Sequence, residues 1–284
     1  MNNWERLKEK GFLILEDAMP NQCWFDEFYK VADELIDTMD EELTLEWRSA
    51  AQDWLKKNDN HDYFCGVPAC YRDRTKQSGK RDKVYIQWIY ELFLSEQFQA
   101  TKVAKLPASK ILGQYLLELQ KRCSEHLQPL MEQLFQTYPD FKKRFHHDRP
   151  LPIVMKLVRY NYNENRFATN PHFDKSGISM LLNSNDEKVR WRIGEGNPCP
   201  LSSLHAPMEY PQDRETNHPI LLIPGLFLQS AGIDVEPTPH CVLPVKNRRH
   251  RHSIIAFLMI PHTKNADTMM TDAPTVHDAL FEVS

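Results

Sequence analysis

A chain of 284 residues, 41% hydrophobic and 26% charged, has enough apolar material for one sizeable buried core. Its formal net charge of −4 lacks the basic excess of a nucleic-acid binder, and no apolar run reaches the length of a membrane span or a secretory signal. The six cysteines form no C-x-x-C pair, which argues against a zinc knuckle and leaves free, reduced thiols in a cytoplasmic protein as the expectation.

Residues 1–150 read mostly as helix. Asn2 caps a first helix over Trp4–Lys10, and Gly11 ends it. Phe12–Leu15 reads as a short strand. Pro20 opens a helical pattern in which Phe25, Phe28, Val31, Ala32 and Leu35 recur at three- and four-residue intervals. Residues 58–83 read as irregular and polar. From Ala108 to Gln136 runs the strongest helix, with Ile111, Leu112, Tyr115, Leu116, Leu119, Cys123, His126, Leu127, Leu130 and Leu134 in one apolar stripe.

Residues 151–262 read as strands: 153–162, 178–182, 189–193, 220–224, 241–245 and 253–260. They are short, rich in Ile, Val, Leu and Tyr, and separated by Asn, Asp, Gly and Pro. That spacing predicts a sandwich or barrel rather than a parallel sheet. The proline-containing stretch 195–219 reads as a long loop at the barrel mouth, and 263–284 as a tail. The expected fold is mainly β, a single domain with a jelly-roll core and the N-terminal helical region packed outside it.

The chemistry gathers in the second half. In His172-Phe173-Asp174 an extended backbone sends residues i and i+2 to one face, so imidazole and carboxylate converge. Together with a second imidazole they form a 2-His-1-carboxylate facial triad, which leaves metal positions open as O2 activation at Fe(II) requires. A second His-x-Asp, His146-His147-Asp148, lies in a basic polar turn and reads as surface. His240 is the favoured third ligand, because it follows Pro237-Thr238-Pro239 and opens a strand; His250 and His252 are the alternatives under a different strand register. Arg251 and Ser253 share a face of the next strand. A guanidinium fork and a hydroxyl there make a carboxylate receptor. His252, on the opposite face, reads as structural.

With these residues in order, the chain resembles the isopenicillin N synthase-like 2-oxoglutarate/Fe(II) dioxygenases. Their C-terminal core carries His-x-Asp, a distal His and Arg-x-Ser, as do His172-Phe-Asp174, His240 and Arg251-His-Ser253. Leu157–Tyr162 resembles the strand whose tyrosine helps hold the cosubstrate, and 221–242 the turn and strand that deliver the distal His. Gly11–Pro20 is similar to the family's entry into its first strand and helix. Tyr160 stands two residues before Tyr162 where the family often has Asn, the gap between His172 and His240 is long, and Asp17-Ala18 replaces the family's His-Gly.

The resemblance implies a double-stranded β-helix with Fe(II) held by His172, Asp174 and His240. The cosubstrate 2-oxoglutarate would pair its far carboxylate with Arg251 and Ser253, aided by Tyr162. O2 and a small-molecule substrate would complete the reaction, with hydroxylation, desaturation or cyclisation as its outcome and succinate and CO2 released. A related oxidase that uses no 2-oxoglutarate would turn the same Arg–Ser pair toward its substrate's carboxylate. A non-catalytic jelly-roll binding module and a zinc hydrolase are the other classes that the sequence leaves open. Tyr63, Phe64, Tyr85 and Trp191 are candidate pocket walls.

Overall fold

The computed structural model describes residues 1–58, 69–75, 81–145, 150–160, 168–185, 191–194, 206, 208, 211, 213–243 and 250–261. Helix α1 (Asn3–Lys10) starts on a reciprocal cap. The Asn2 side chain accepts from the Glu5 N–H, and the Glu5 carboxylate accepts from the Asn2 N–H, each at 2.9 Å. Gly11 ends the helix at φ 72°, a left-handed conformation that glycine adopts without penalty. Strand β1 (Leu13–Asn21) runs further than the Phe12–Leu15 expected and includes Pro20, which an edge strand tolerates. The next helix therefore opens after Asn21 rather than at Pro20. The Asn21 side chain accepts from the Trp24 N–H at 3.0 Å and caps α2 (Gln22–Thr38).

Helix α3 (Glu41–Lys57) lies where the sequence reading assigns no element, although its signals are plain. Asp40 caps it, Glu41 and Glu42 occupy its first turn, and Lys56 and Lys57 its last. Part of the stretch read as irregular is strand β2 (Cys70–Thr75), antiparallel to β3 (Arg81–Ile89). Short helices α4 (Tyr90–Leu94), α5 (Glu96–Gln99) and α6 (Lys102–Lys105) lead into α7 (Pro107–Thr137), which matches the predicted apolar stripe except that Ile111 is exposed; α8 (Pro139–Lys142) follows. The class is thus mixed, helices plus antiparallel sheets, rather than mainly β: helix fills residues 41–57 and much of 90–105, which the sequence leaves unassigned. No helix among the described residues is long and apolar enough to cross a membrane.

The remaining elements are β4 (Ile153–Tyr160), β5 (Thr169–His172), β6 (Ile178–Ser184), β7 (Trp191–Ile193), β8 (Asn217–Pro224), α9 (Leu226–Ser230), β9 (His240–Val242) and β10 (Arg251–Leu258). They form a seven-stranded sheet, β1-β8-β6-β10-β4-β3-β2, and a three-stranded sheet, β5-β9-β7, with antiparallel pairing throughout. The loop expected at 195–219 lies largely outside the described residues, and its last three positions belong to β8.

The large sheet is buried on both faces, which is why β6 and β8 read as near-continuous apolar runs. One face packs on the helices. There Met155 and Leu157 of β4, with Ile254 and Ala256 of β10, join a core that includes Phe25, Phe28, Leu112 and Leu119. The other face meets the small sheet, where Val158, Leu181, Leu221 and Ile255 pack with Trp191, Ile193 and Val242.

A backbone clasp fixes the loop between β5 and β6. The N–H groups of Gly225, Leu226 and Phe227 donate to the carbonyls of Gly177, Asp174 and Ser176 at 2.8, 2.9 and 3.0 Å. A Cβ at Gly225 would lie 2.3 Å from the Ser176 carbonyl oxygen, and backbone cannot yield as a flexible side chain would. Gly225→Ala is expected to cost about 1–3 kcal/mol or more of stability in denaturant titration.

On the helical side of the sheet, His218 is buried and its Nδ1 lies 2.7 Å from Asn183 Nδ2, so that nitrogen accepts and the ring is neutral. Burial pushes its pKa down to about 4 from 6.5, with Asp26 opposing. Above the unfolded value the ring is neutral in both states. Between 6.5 and about 4 the unfolded chain takes up the proton first. The urea midpoint should therefore fall as pH drops through that window, with a shallower fall in His218→Asn.

Candidate metal centre

Two short strands carry the histidines. β5 ends at His172, β9 begins at His240, and the register sets the two residues directly opposite each other. Their rings lie 4.4 Å apart between centroids. Asp174 follows two residues after the end of β5 and enters between them. Its Oδ1 is 3.2 Å from His172 Nε2, and its Oδ2 is 3.5 Å from His240 Nε2. The three residues offer one ligand atom each within 4.8 Å of one another, and they are the one such group among the described residues.

Each side chain is held from behind. His240 is 2% exposed, stacks on Trp191 at 4.8 Å and 12°, and turns Nδ1 toward the Thr238 carbonyl at 3.2 Å. Donation from Nδ1–H leaves the Nε2 lone pair aimed at Asp174, the tautomer a metal ligand requires. The Thr238 hydroxyl donates to the Gly11 carbonyl, which ties this turn to the end of α1. The Asp174 carbonyl is held by the Leu226 N–H of the clasp, and the Ser176 and Ser179 hydroxyls meet at 2.8 Å in the same loop region.

The electrostatics agree with a cation site. Burial alone would raise the Asp174 carboxyl, but His240, His172 and the Ser179 hydroxyl hold it well below the usual carboxylate range. Burial pushes His240 down to about 4, against the pull of Asp174, so its ring is neutral at physiological pH. Asp174 Oδ2 is buried with no hydrogen-bond partner among the described residues. A buried anionic oxygen lacking a donor is costly. Two imidazoles and one carboxylate at hand make a donor set that suits Fe(II), and a divalent cation would supply the missing counter-charge.

On the face of the large sheet that packs against the small sheet, β10 places Arg251 and Ser253. Both are buried, at 2% and 0% exposure. The guanidinium lies 4.2 Å from the ring centroid of Tyr160, its register partner on β4. Ser253 Oγ is buried without a hydrogen-bond partner among the described residues. Tyr160, named from the sequence only as a departure from the family's Asn, is thus the tyrosine seen against Arg251; Tyr162 lies outside the described residues. The sign that could have revealed it is the antiparallel register of β4 with β10.

The other candidates fall apart from this group. His252 faces the helical side and His250 is exposed, so neither joins His172 and Asp174. Trp191 is a wall of the metal site itself. Tyr85 is half-buried on the inner face, with the Lys156 ammonium 4.3 Å above its ring. Tyr63, Phe64 and His146-His147-Asp148 lie outside the described residues. Cys70, Cys123 and Cys241 are buried free thiols, and Cys23 is an exposed one.

No protein-family model matches the chain, and no curated protein matches it. Solved structures do match. A protein from Caulobacter crescentus assigned to the 2OG-Fe(II) oxygenase family superposes with a TM-score of 0.60 at 17% identity, over 90% of this chain and 81% of that one. The Arabidopsis thaliana dioxygenase for auxin oxidation 1, in its 2-oxoglutarate complex, gives 0.57 at 14%, over 91% and 88%. A full-length Neurospora crassa protein, solved in complex with alpha-KG and thymine, gives 0.59 at 13%, over 93% and 85%. At such identities the likeness is one of fold: helices plus antiparallel sheets consistent with the double-stranded β-helix of 2-oxoglutarate/Fe(II) oxygenases, here with a His–Asp–His cluster in place to hold a metal.

Proposed function

We propose that this protein is a non-haem Fe(II), 2-oxoglutarate-dependent dioxygenase of the isopenicillin N synthase-like type, acting as a single domain on a small organic substrate. The observation that carries this reading is the convergence of His172, Asp174 and His240 at the β5–β9 pair, with Arg251 and Ser253 buried on the face of the large sheet that packs against that small sheet. A metal site alone would suit a hydrolase or a binding module; a buried guanidinium and hydroxyl in the same interior call for a carboxylate-bearing cosubstrate. Iron bound there with 2-oxoglutarate and O2 supplies the oxidising power to break a substrate C–H bond, with succinate and CO2 as the coproducts.

The chain's own residues do the positioning. His172, Asp174 and His240 hold the metal and leave its other positions open. Arg251 and Ser253 take the far carboxylate of 2-oxoglutarate, with Tyr162 as a further contact. The Tyr160 ring holds the guanidinium from its flank. Val158, Leu181, Leu221, Trp191 and Val242 keep water from the charges between the sheets. His172 is the open side of the site, 38% exposed against 2% for His240, and in this reading substrate and O2 approach from there.

Anaerobic titration of the Fe(II)-loaded protein with 2-oxoglutarate tests the whole. A visible iron-to-keto-acid charge-transfer band is the expected result. Iron binding with no band would shift the assignment to the oxidase that uses no 2-oxoglutarate. His172→Ala, Asp174→Ala and His240→Ala should each abolish Fe(II) binding in a folded protein, as read by calorimetry and circular dichroism; retained affinity in any one would remove that residue from the triad. Arg251→Ala should bind iron normally and lose roughly tenfold to a hundredfold in 2-oxoglutarate affinity, the size of effect expected of a charge-assisted hydrogen bond. Unchanged affinity would end the carboxylate-receptor assignment.

A further inference from the structure

On the far side of the large sheet from the metal, α2 presents Tyr29, Asp33 and Asp37 at four-residue intervals along one face. Asp33 Oδ1 accepts from Arg159 Nη1 at 3.1 Å and from His252 Nε2 at 2.8 Å. Arg159 Nη1 donates to Asp37 as well, at 3.0 Å, but among the described side chains only that of Asp33 bonds to both Arg159 and His252. Arg159 and His252 are direct register partners on β4 and β10. Their chain neighbours Tyr160 and Arg251 are also register partners, and those two form the cation–π pair on the inner face. One carboxylate outside the sheet therefore ties together the two strand segments that hold the guanidinium inside it.

The geometry around His252 shows that this tie is specific. The ladder between β10 and β6 ends at the pair Ser253 and Ser184, one residue short of His252. One more backbone bond follows, the Asn185 N–H donating to the His252 carbonyl at 3.2 Å, and side chains reinforce it. Asn185 Oδ1 accepts from the His252 backbone N–H at 2.7 Å, and the Ser184 hydroxyl donates to the His252 carbonyl at 2.9 Å. With Oδ1 so engaged, Asn185 Nδ2 faces ring Nδ1 at 3.0 Å, and Nδ1 must accept. The ring proton is then on Nε2, where it donates to Asp33. Tyr29 stacks on the imidazole at 4.8 Å and 23°. Burial would raise the Asp33 carboxyl, but the bonds from His252 and Arg159 hold it below its usual range.

We propose that Asp33 is a positioning residue for the cosubstrate: through His252 and Arg159 it sets the Arg251–Tyr160 pair, and hence the affinity for 2-oxoglutarate, from the opposite side of the sheet. The proposal rests on Arg251 being the receptor of the cosubstrate carboxylate. Residues that orient a binding group from behind commonly change affinity by about tenfold to a hundredfold when lost.

The test is 2-oxoglutarate titration of the Fe(II)-loaded full chain, read by the charge-transfer band, with Fe(II) affinity and Tm measured alongside. Asp33→Ala is expected to weaken 2-oxoglutarate by about tenfold while Fe(II) affinity stays at the wild-type value. Asp33→Asn, which keeps an oxygen acceptor for both donors, should recover most of that loss. Tyr29→Phe keeps the ring stack but drops the hydroxyl bond to Asn183; it should lower Tm without moving the 2-oxoglutarate affinity, which separates positioning from general stability. Should Asp33→Ala fail to fold, Asn185→Ala reads the same coupling and should weaken 2-oxoglutarate to a similar degree. Wild-type affinity in the folded Asp33→Ala or Asn185→Ala protein would overturn the proposal, as would equal loss of iron and 2-oxoglutarate. Absence of the band in the wild-type protein would overturn the proposed function itself, and it is seen before any variant is read.

Discussion

The site turns on a carboxylate placed between two imidazoles in a nearly dry setting. Asp174 is 11% exposed and His240 is 2% exposed. Burying an anion is unfavourable by several kcal/mol unless its oxygens are satisfied. Here one oxygen has His172 as its partner at 3.2 Å, and the other only faces His240. Left to itself such a loop would swing into water. The chain prevents this with main-chain bonds: three consecutive N–H groups at the start of α9 grip the carbonyls of the loop that carries Asp174. The rest of the fold offsets the unfavourable burial, and the result is a pre-shaped seat for a cation.

The same constraint governs β10. A strand buried on both faces should be apolar throughout, yet this one begins Arg251-His252-Ser253. Alternation sends the guanidinium and hydroxyl to one side and the imidazole to the other. Each side then needs its own answer to burial. Outside, Asp33 and Asn185 complete the imidazole. Inside, the Tyr160 ring flanks the guanidinium, and the Ser253 hydroxyl is buried with no hydrogen-bond partner among the described residues. The polar opening of the strand is thus a local breach of the sheet's pattern, of the kind that functional sites impose.

Much of this was legible in the sequence because it depends on period and order. Alternation placed His172 with Asp174, and Arg251 with Ser253, and it put His252 on the opposite face. The stripe in α7 followed from three- and four-residue spacing, and Asn2 and Gly11 marked both ends of α1. What escaped was set by pairing across strands. Nothing local to Tyr160 announces that β4 brings it under Arg251, and nothing local to Trp191 announces its stack on His240. Pro20 reads as a helix opener, yet the free edge of the sheet lets β1 carry it, and Asn21 supplies the cap instead. Helix α3 was missed even though its cap and end charges were visible, and without it the fold class read as too rich in strand.

The distribution of exposure gives the site a direction. Arg251 and Ser253 are sealed, His240 is sealed, and His172 opens outward. In the proposed reading the cosubstrate's far carboxylate therefore lies at a closed end, where low dielectric strengthens its pairing with Arg251. The metal would be held by His172, Asp174 and His240, with His172 on the open side. Such an order lets the sheets determine how the cosubstrate is held, while the surroundings of the opening determine which substrate can reach the metal. It also explains how a fold can be shared with a thymine-bound fungal protein and an auxin-oxidation dioxygenase at 13–14% identity without implying a shared substrate.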